Sequence, residues 1–194
     1  MFNIFKYFRS NQPVEEGKAG ERGKEWEELP LQQLILMDEE KFEQYMRADL
    51  KSFEKNDFLG KAADVKHDAL TAVKAKQYDK AWRLFHEQKL NCMKHASRCN
   101  FTHLQTLALD GSVSEHLADV LRLEGKHTAA LAHIVYWIAS SSSRKTKRQE
   151  QKLQAYFRRA NLKNVEFQDL GQFMEGITEN PDFRLVQDQM RRWE

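Results

Sequence analysis

Apolar residues in this chain recur at spacings of three and four almost throughout, and β-branched alternation is nearly absent. That spacing lines successive apolar side chains along one stripe of a helix of about 3.6 residues per turn, whereas a strand needs a period of two. Three prolines and eight glycines leave room for long uninterrupted helices, so the pattern predicts an all-α fold. Twelve Phe and four Trp give the stripes enough bulk to bury and argue against a disordered chain. A length of 194 residues suits one domain with its own core, or a short helical array.

Charged residues make up 31% of the chain, yet the formal net charge is only +2, so no global field points to nucleic acid or membrane. The charge is uneven. Residues 1–60 carry 9 basic and 13 acidic side chains, residues 141–163 carry 8 and 1, and residues 164–194 carry 3 and 7. A basic belt thus lies between two acidic stretches.

The start, MFNIFKYFRS, interleaves aromatics with Lys6 and Arg9 and lacks the apolar run of a secretory signal. The run AALAHIVYWIA, Ala129 to Ala139, is about half of the roughly 20 residues a membrane span needs. A cytoplasmic protein is the default expectation. Phe2, Phe5 and Phe8, with Ile4 and Tyr7, would form a short amphipathic turn able to rest on lipid, or to dock on the domain or on a second copy. SNQPVEEGKAGERGK, Ser10 to Lys24, has no periodic face and reads as a linker. Residues 1–25 are therefore expected to be a flexible N-terminal segment, and 26–194 a single all-helical, repeat-like domain.

Within that domain Pro30 suits the first turn of a helix ending near Asn56, with Leu34, Met37, Phe42, Tyr45, Leu50 and Phe53 as core positions. Helices follow over about Phe58 to Ala75 and Tyr78 to Asn100. Thr102 with Gln105 offers one capping box; Ser112 with Glu115 offers a clearer one, after a turn at Asp110-Gly111, and opens a helix that Gly125 closes. A helix over His127 to Ser141 is punctuated by Ser140 to Ser143. Thr146 with Gln149 then starts a basic helix carrying Leu153, Tyr156, Phe157 and Ala160. Val165 to Ile177 is helical in pattern despite Gly171 and Gly176, and Asn180-Pro181 marks the start of a last helix ending at Trp193.

The stretch AKQYDKAWRLF, Ala75 to Phe85, has an echo in EGKHTAALAHI, Glu124 to Ile134, at an offset of forty-nine residues. In that register Ala69 falls on Ala118, Tyr78 on His127, Ala81 on Ala130, Trp82 on Leu131 and Phe85 on Ile134. A small residue on each of two antiparallel helices lets their backbones approach, and a large one four positions on fills the groove beside them. These residues, over about Lys61 to Ser141, resemble the tetratricopeptide repeat family. Ala118, Gly125, Ala130 and Ile134 match its spacing, and Ala69, Tyr78, Ala81 and Phe85 match it with Lys76 where the family has Gly. The offset exceeds the family's period of about 34, and the early Trp and terminal Pro are missing. The resemblance implies an antiparallel helix-pair solenoid whose concave face holds a protein segment, with Pro30 to Asn56 and the C-terminal helices capping it. It also implies a non-enzymatic adaptor, with Lys66, Asp68, Lys74, Arg83, His116, Asp119 and Arg122 as partner-binding residues.

Other chemistry is weaker. In CMKHASRC, Cys92, His95 and Cys99 share one helical face, but seven residues at about 1.5 Å each set the two cysteines about 10.5 Å apart, beyond the roughly 7 Å a disulfide allows. A zinc site would need further ligands such as His103 or His133, so Cys92 is read as a buried seam residue beside Phe85 and Ala96. No catalytic or nucleotide-binding motif occurs, and no cofactor, metal site or catalytic residue is expected. The alternative function is nucleic-acid binding by the belt Ser143 to Arg159, with Arg144, Lys145, Lys147, Arg148, Lys152, Arg158 and Arg159 meeting phosphates and Tyr156 or Phe157 stacking on a base.

Overall fold

The computed structural model describes residues 56–141 and 145–194, together with Lys41, Glu43, Gln44 and Arg47. The chain divides into two compact units, Met1–Lys55 and Asn56–Glu194. In the first, the four described residues are helical and exposed, and Arg47 bonds Glu43 at 3.0 Å. The remaining expectations for residues 1–55, the aromatic turn, the linker and the core of the Pro30 helix, lie outside the described residues.

The second unit is all-helical among its described residues. Its helices are α1 (Phe58–Lys74), α2 (Tyr78–Arg98), α3 (His103–Leu123), α4 (His127–Ala139), α5 (Lys147–Ala160), α6 (Phe167–Ile177) and α7 (Phe183–Trp193). None is long and apolar enough to cross a membrane. Consecutive helices from α1 to α5 pack against each other, and α4 also receives α6 and α7.

The hairpins α1–α2 and α3–α4 end their first helices in the same way. Lys76 N–H donates to Val73 O at 2.9 Å and Gln77 N–H to Ala72 O at 2.9 Å; Gly125 N–H donates to Arg122 O at 3.1 Å and Lys126 N–H to Leu121 O at 2.9 Å. These paired bonds are a Schellman motif, in which one residue turns left-handed so that the last carbonyls find donors. That residue is Lys76 (φ +57°) in one hairpin and Gly125 (φ +76°) in the other. The alanines of the forty-nine-residue register, Ala69 and Ala118, Ala81 and Ala130, are all fully buried, and Phe85 and Ile134 are buried four positions later. A third left-handed residue, Asn100, ends α2, where Phe101 N–H reaches Ala96 O at 2.9 Å.

Two apolar cores result, and α3 is a wall of both. Val113, Leu117 and Val120 face Ala62, Ala69, Ala81, Phe85 and Cys92 of α1 and α2. Ala118 and Leu121 face α4, with Leu153, Leu170, Met174, Val186 and Met190 of the last three helices. Eight of the thirteen α4 residues are buried, which makes it the central helix of the second core.

Three sequence-based boundaries need correction. Asp110-Gly111 is no turn: α3 runs through it from the Thr102–Gln105 capping box, with Thr102 N–H on Gln105 Oε1 at 2.9 Å. Ser112 Oγ donates to Leu109 O at 2.7 Å and caps nothing, and Glu115 reaches out to α5. Gly111 is there because α3 and α4 touch at this point: a Cβ would stand 1.8 Å from Ser140 Oγ. The last helix begins after Asp182, whose Oδ1 accepts from Arg184 N–H at 2.6 Å, so Asn180 is not its cap and buried Pro181 precedes it. Finally, α4 stops at Ala139, short of Ser141. The Thr146–Gln149 box does open α5.

Candidate partner-binding surface

α1 and α3 do not close fully against each other over α2. Between them lies a groove of about 210 Å³, lined by Leu59, Ala62, Ala63 and Lys66 of α1, Gln88 and Cys92 of α2, and Leu109 and Ser112 of α3. Lys66, Gln88 and Ser112 are the polar residues of this lining. Gln88 is 7% exposed and its Oε1 has no hydrogen-bond partner, whereas Cys92 is a buried thiol pushed up by burial and by Asp110. Leu59 stands at the rim, 48% exposed. Spacings of four and three put Leu59, Ala63, Lys66 and the exposed Leu70 along one stripe of α1.

Of the residues expected to bind a partner, Lys66 alone lines this groove. His116 is close to it in charge terms: its ring stacks on Phe85 at 5.2 Å, and burial, then Lys66, hold its imidazole below the ordinary value. Asp68, Lys74 and Arg83 are exposed and do not line it. Asp119 and Arg122 are turned toward α5. Tyr156 Oη donates to Asp119 Oδ1, and Arg122 Nε lies 3.3 Å from Tyr156 Oη and 3.6 Å from Asp119 Oδ1. Burial raises the Asp119 carboxyl, but the hydrogen bonds from Tyr156 and Lys152 and the charges of Lys152 and Arg122 outweigh it and leave it lowered.

The basic belt is partly spent in the same contact. Lys152 Nζ bonds Glu115 Oε1 and Asp119 Oδ2, both at 2.9 Å, and Arg148 bonds Glu115 at 2.8 Å. Lys152 also lies over the rings of Trp137 and Tyr156. Tyr156 is buried, so it is not placed to stack on a base, and Phe157 packs on Phe167. Lys145, Lys147, Arg158 and Arg159 are exposed, Arg159 reaching back to Ala155 O at 3.0 Å; Arg144 lies outside the described residues.

On the other side of α2, Lys89 and Tyr136 share one carboxylate oxygen: Lys89 Nζ is 3.0 Å and Tyr136 Oη 2.7 Å from Asp110 Oδ2. Burial, then Asp110, push the Tyr136 hydroxyl well above the ordinary tyrosine value. Beside it His133 is enclosed by Trp82 and Phe183, and burial, followed by the charges of Lys89 and His86, pulls it down to about 3. These groups tie α2, α3, α4 and α7 together. The two cysteines are free, Cys92 buried and Cys99 exposed with Sγ 3.7 Å from His95 Nε2. Among the described residues no group of His, Cys, Asp and Glu is arranged to hold a metal.

Sequence spacing could not reveal the groove, because its lining comes from three helices. The one available signal was the Leu59, Ala63, Lys66, Leu70 stripe, which continues past what the α1–α2 contact consumes. Comparisons of the chain with protein-family models, curated proteins and solved structures find no match in any of the three.

Proposed function

We propose that the protein is a non-enzymatic adaptor of the tetratricopeptide-like kind, in which α1–α2 and α3–α4 are successive units, α5 to α7 cap the array, and a partner segment is held on the faces of α1 and α3. The observation that carries this reading is the open groove between those two first helices, where an array of this kind holds its ligand. The matching turns at Lys76 and Gly125 and the paired buried alanines support the equivalence of the units. Binding on such a surface needs shape and charge complementarity and no covalent step. A cytoplasmic setting goes with the proposal. Nucleic-acid binding by the belt is the less favoured reading, because Arg148 and Lys152 already neutralise Glu115 and Asp119.

The test is site-specific photo-crosslinking in native lysate with the full chain. A crosslinker at Ala63 should capture a discrete protein, one at exposed Lys126 should not, and Leu59→Glu should abolish the capture. Equal capture from both sites, or none from Ala63, would remove the adaptor reading.

A further inference from the structure

The forty-nine-residue register places Lys66 at the position of Glu115, and Leu70 at that of Asp119. At the α3–α5 step, Glu115 and Asp119 are closed over by Lys152 and Arg148. At the preceding α1–α3 step the equivalent charge is reversed. Among the described residues no carboxylate comes within ion-pair distance of Lys66, which stands beside an open groove. Among the described residues the second step is satisfied by ion pairs, and the first is left with an unmatched cation and exposed apolar surface.

Each of these features specifies part of an occupant. A cavity of about 210 Å³ falls below the roughly 300–1,000 Å³ of small-molecule sites, and suits one anchoring side chain. The walls, Leu59, Ala62, Ala63, Cys92 and Leu109, require that side chain to be apolar. Lys66 at the rim requires a carboxylate. We infer that the partner segment is an acidic peptide, which inserts one large apolar side chain between α1 and α3 and sets a neighbouring Asp or Glu against Lys66. The inference rests on the adaptor reading and adds the chemistry of the partner to it.

The probe is an array of short peptides with a central leucine and a single glutamate walked along both flanks, beside matched sets carrying lysine or glutamine in its place. Labelled full-length protein should be retained about five-fold more by the best glutamate peptide than by its lysine counterpart, a difference expected of one partly buried charge pair. Lys66→Glu should reverse that order, and Lys66→Gln should level it. Replacing the central leucine by serine should lose retention. Circular dichroism and the denaturation midpoint establish that each variant is folded. Retention indifferent to the sign of the peptide charge, or an unchanged order in Lys66→Glu, would overturn the inference. So would concentration-dependent dimerisation abolished by Leu59→Glu, which would assign the groove to a second copy. Capture from Ala63 that persists unchanged in Lys66→Glu would sink this inference while leaving the adaptor standing; no capture from Ala63 would sink both.

Discussion

Lys76 and Gly125 occupy the same left-handed position in two matching turns, at φ +57° and +76°. A non-glycine residue there costs about 1 kcal/mol of backbone strain, less what a glycine loses through its freer unfolded chain. Lys76→Gly is therefore expected to raise unfolding stability by up to about 1 kcal/mol, and Gly125→Ala to lower it by about 1 kcal/mol. Nothing lies within 4 Å of a Cβ built on Gly125, so that loss is conformational and not steric. Urea denaturation of both variants measures it; a stabilising Gly125→Ala would contradict the turn geometry.

Gly111→Ala acts by the other mechanism. The new methyl would meet Ser140 Oγ at 1.8 Å and Cβ at 2.9 Å, so α3 and α4 must separate, at a cost of about 1–3 kcal/mol. Ser140→Gly in the same chain removes both atoms and should recover most of the loss. A double-mutant cycle reports this as a coupling of the two sites, and additive losses would show that they do not touch.

Acid should weaken the fold through His133. Its folded value, about 3, lies below the unfolded value of about 6.5. The unfolded chain therefore takes up a proton that the folded chain refuses, and stability present above about pH 6.5 is lost as the pH falls toward 3. His86 and His116, also lowered first by burial, act in the same sense. His133→Leu, which keeps an apolar contact with Trp82 and Phe183, should flatten the dependence of the urea midpoint between pH 7 and 5. An unchanged slope would mean that His133 is solvated.

At alkaline pH the tyrosines take over. Tyr136 and Tyr156 are raised by burial and by their carboxylate partners Asp110 and Asp119. The unfolded chain loses these protons near pH 10 while the folded chain keeps them, so stability holds below about pH 10 and falls above it. Tyr136→Phe removes one of the two titrations, and at neutral pH it should cost about 1 kcal/mol for the lost bond to Asp110. Spectrophotometric titration of tyrosinate, folded and in urea, checks the direction.

Lys152 and Arg148 both reach Glu115, but they should differ in weight. The Lys152 side chain is 18% exposed and holds two carboxylates; that of Arg148 is 77% exposed and holds one. Lys152→Met should cost about 1–3 kcal/mol, since it strips a partly buried carboxylate pair of its main cation. Arg148→Met should cost under about 0.5 kcal/mol, and less still in high salt. Equal effects would mean that α5 is not held through Lys152.

What the sequence disclosed depended on how local the cause was. The Thr146–Gln149 box, the left-handed Gly125 and the burial of Ala81 and Ala130 follow from neighbours within a few residues or from a repeated register. Asp110-Gly111 misled because its local turn preference is overridden by a distant partner: Gly111 makes room for Ser140, and Asp110 serves Lys89 and Tyr136. Asp182 took the capping role from Asn180, a slip of two residues between two good caps. The counter-ions of Lys152 lie more than thirty residues away and carry no local signal. The same is true of the groove, where Gln88 and Cys92 meet Leu59 and Leu109 only after three helices have packed.

Because α3 lends adjacent faces to both cores, neither half of this unit has a complete interior of its own. Its hairpins are expected to melt together and not one at a time, as the modules of a longer array can. Amide protons in α2 and in α4 should therefore exchange through one shared opening event, and a partner gripping the α1 end would tighten protection as far away as α7.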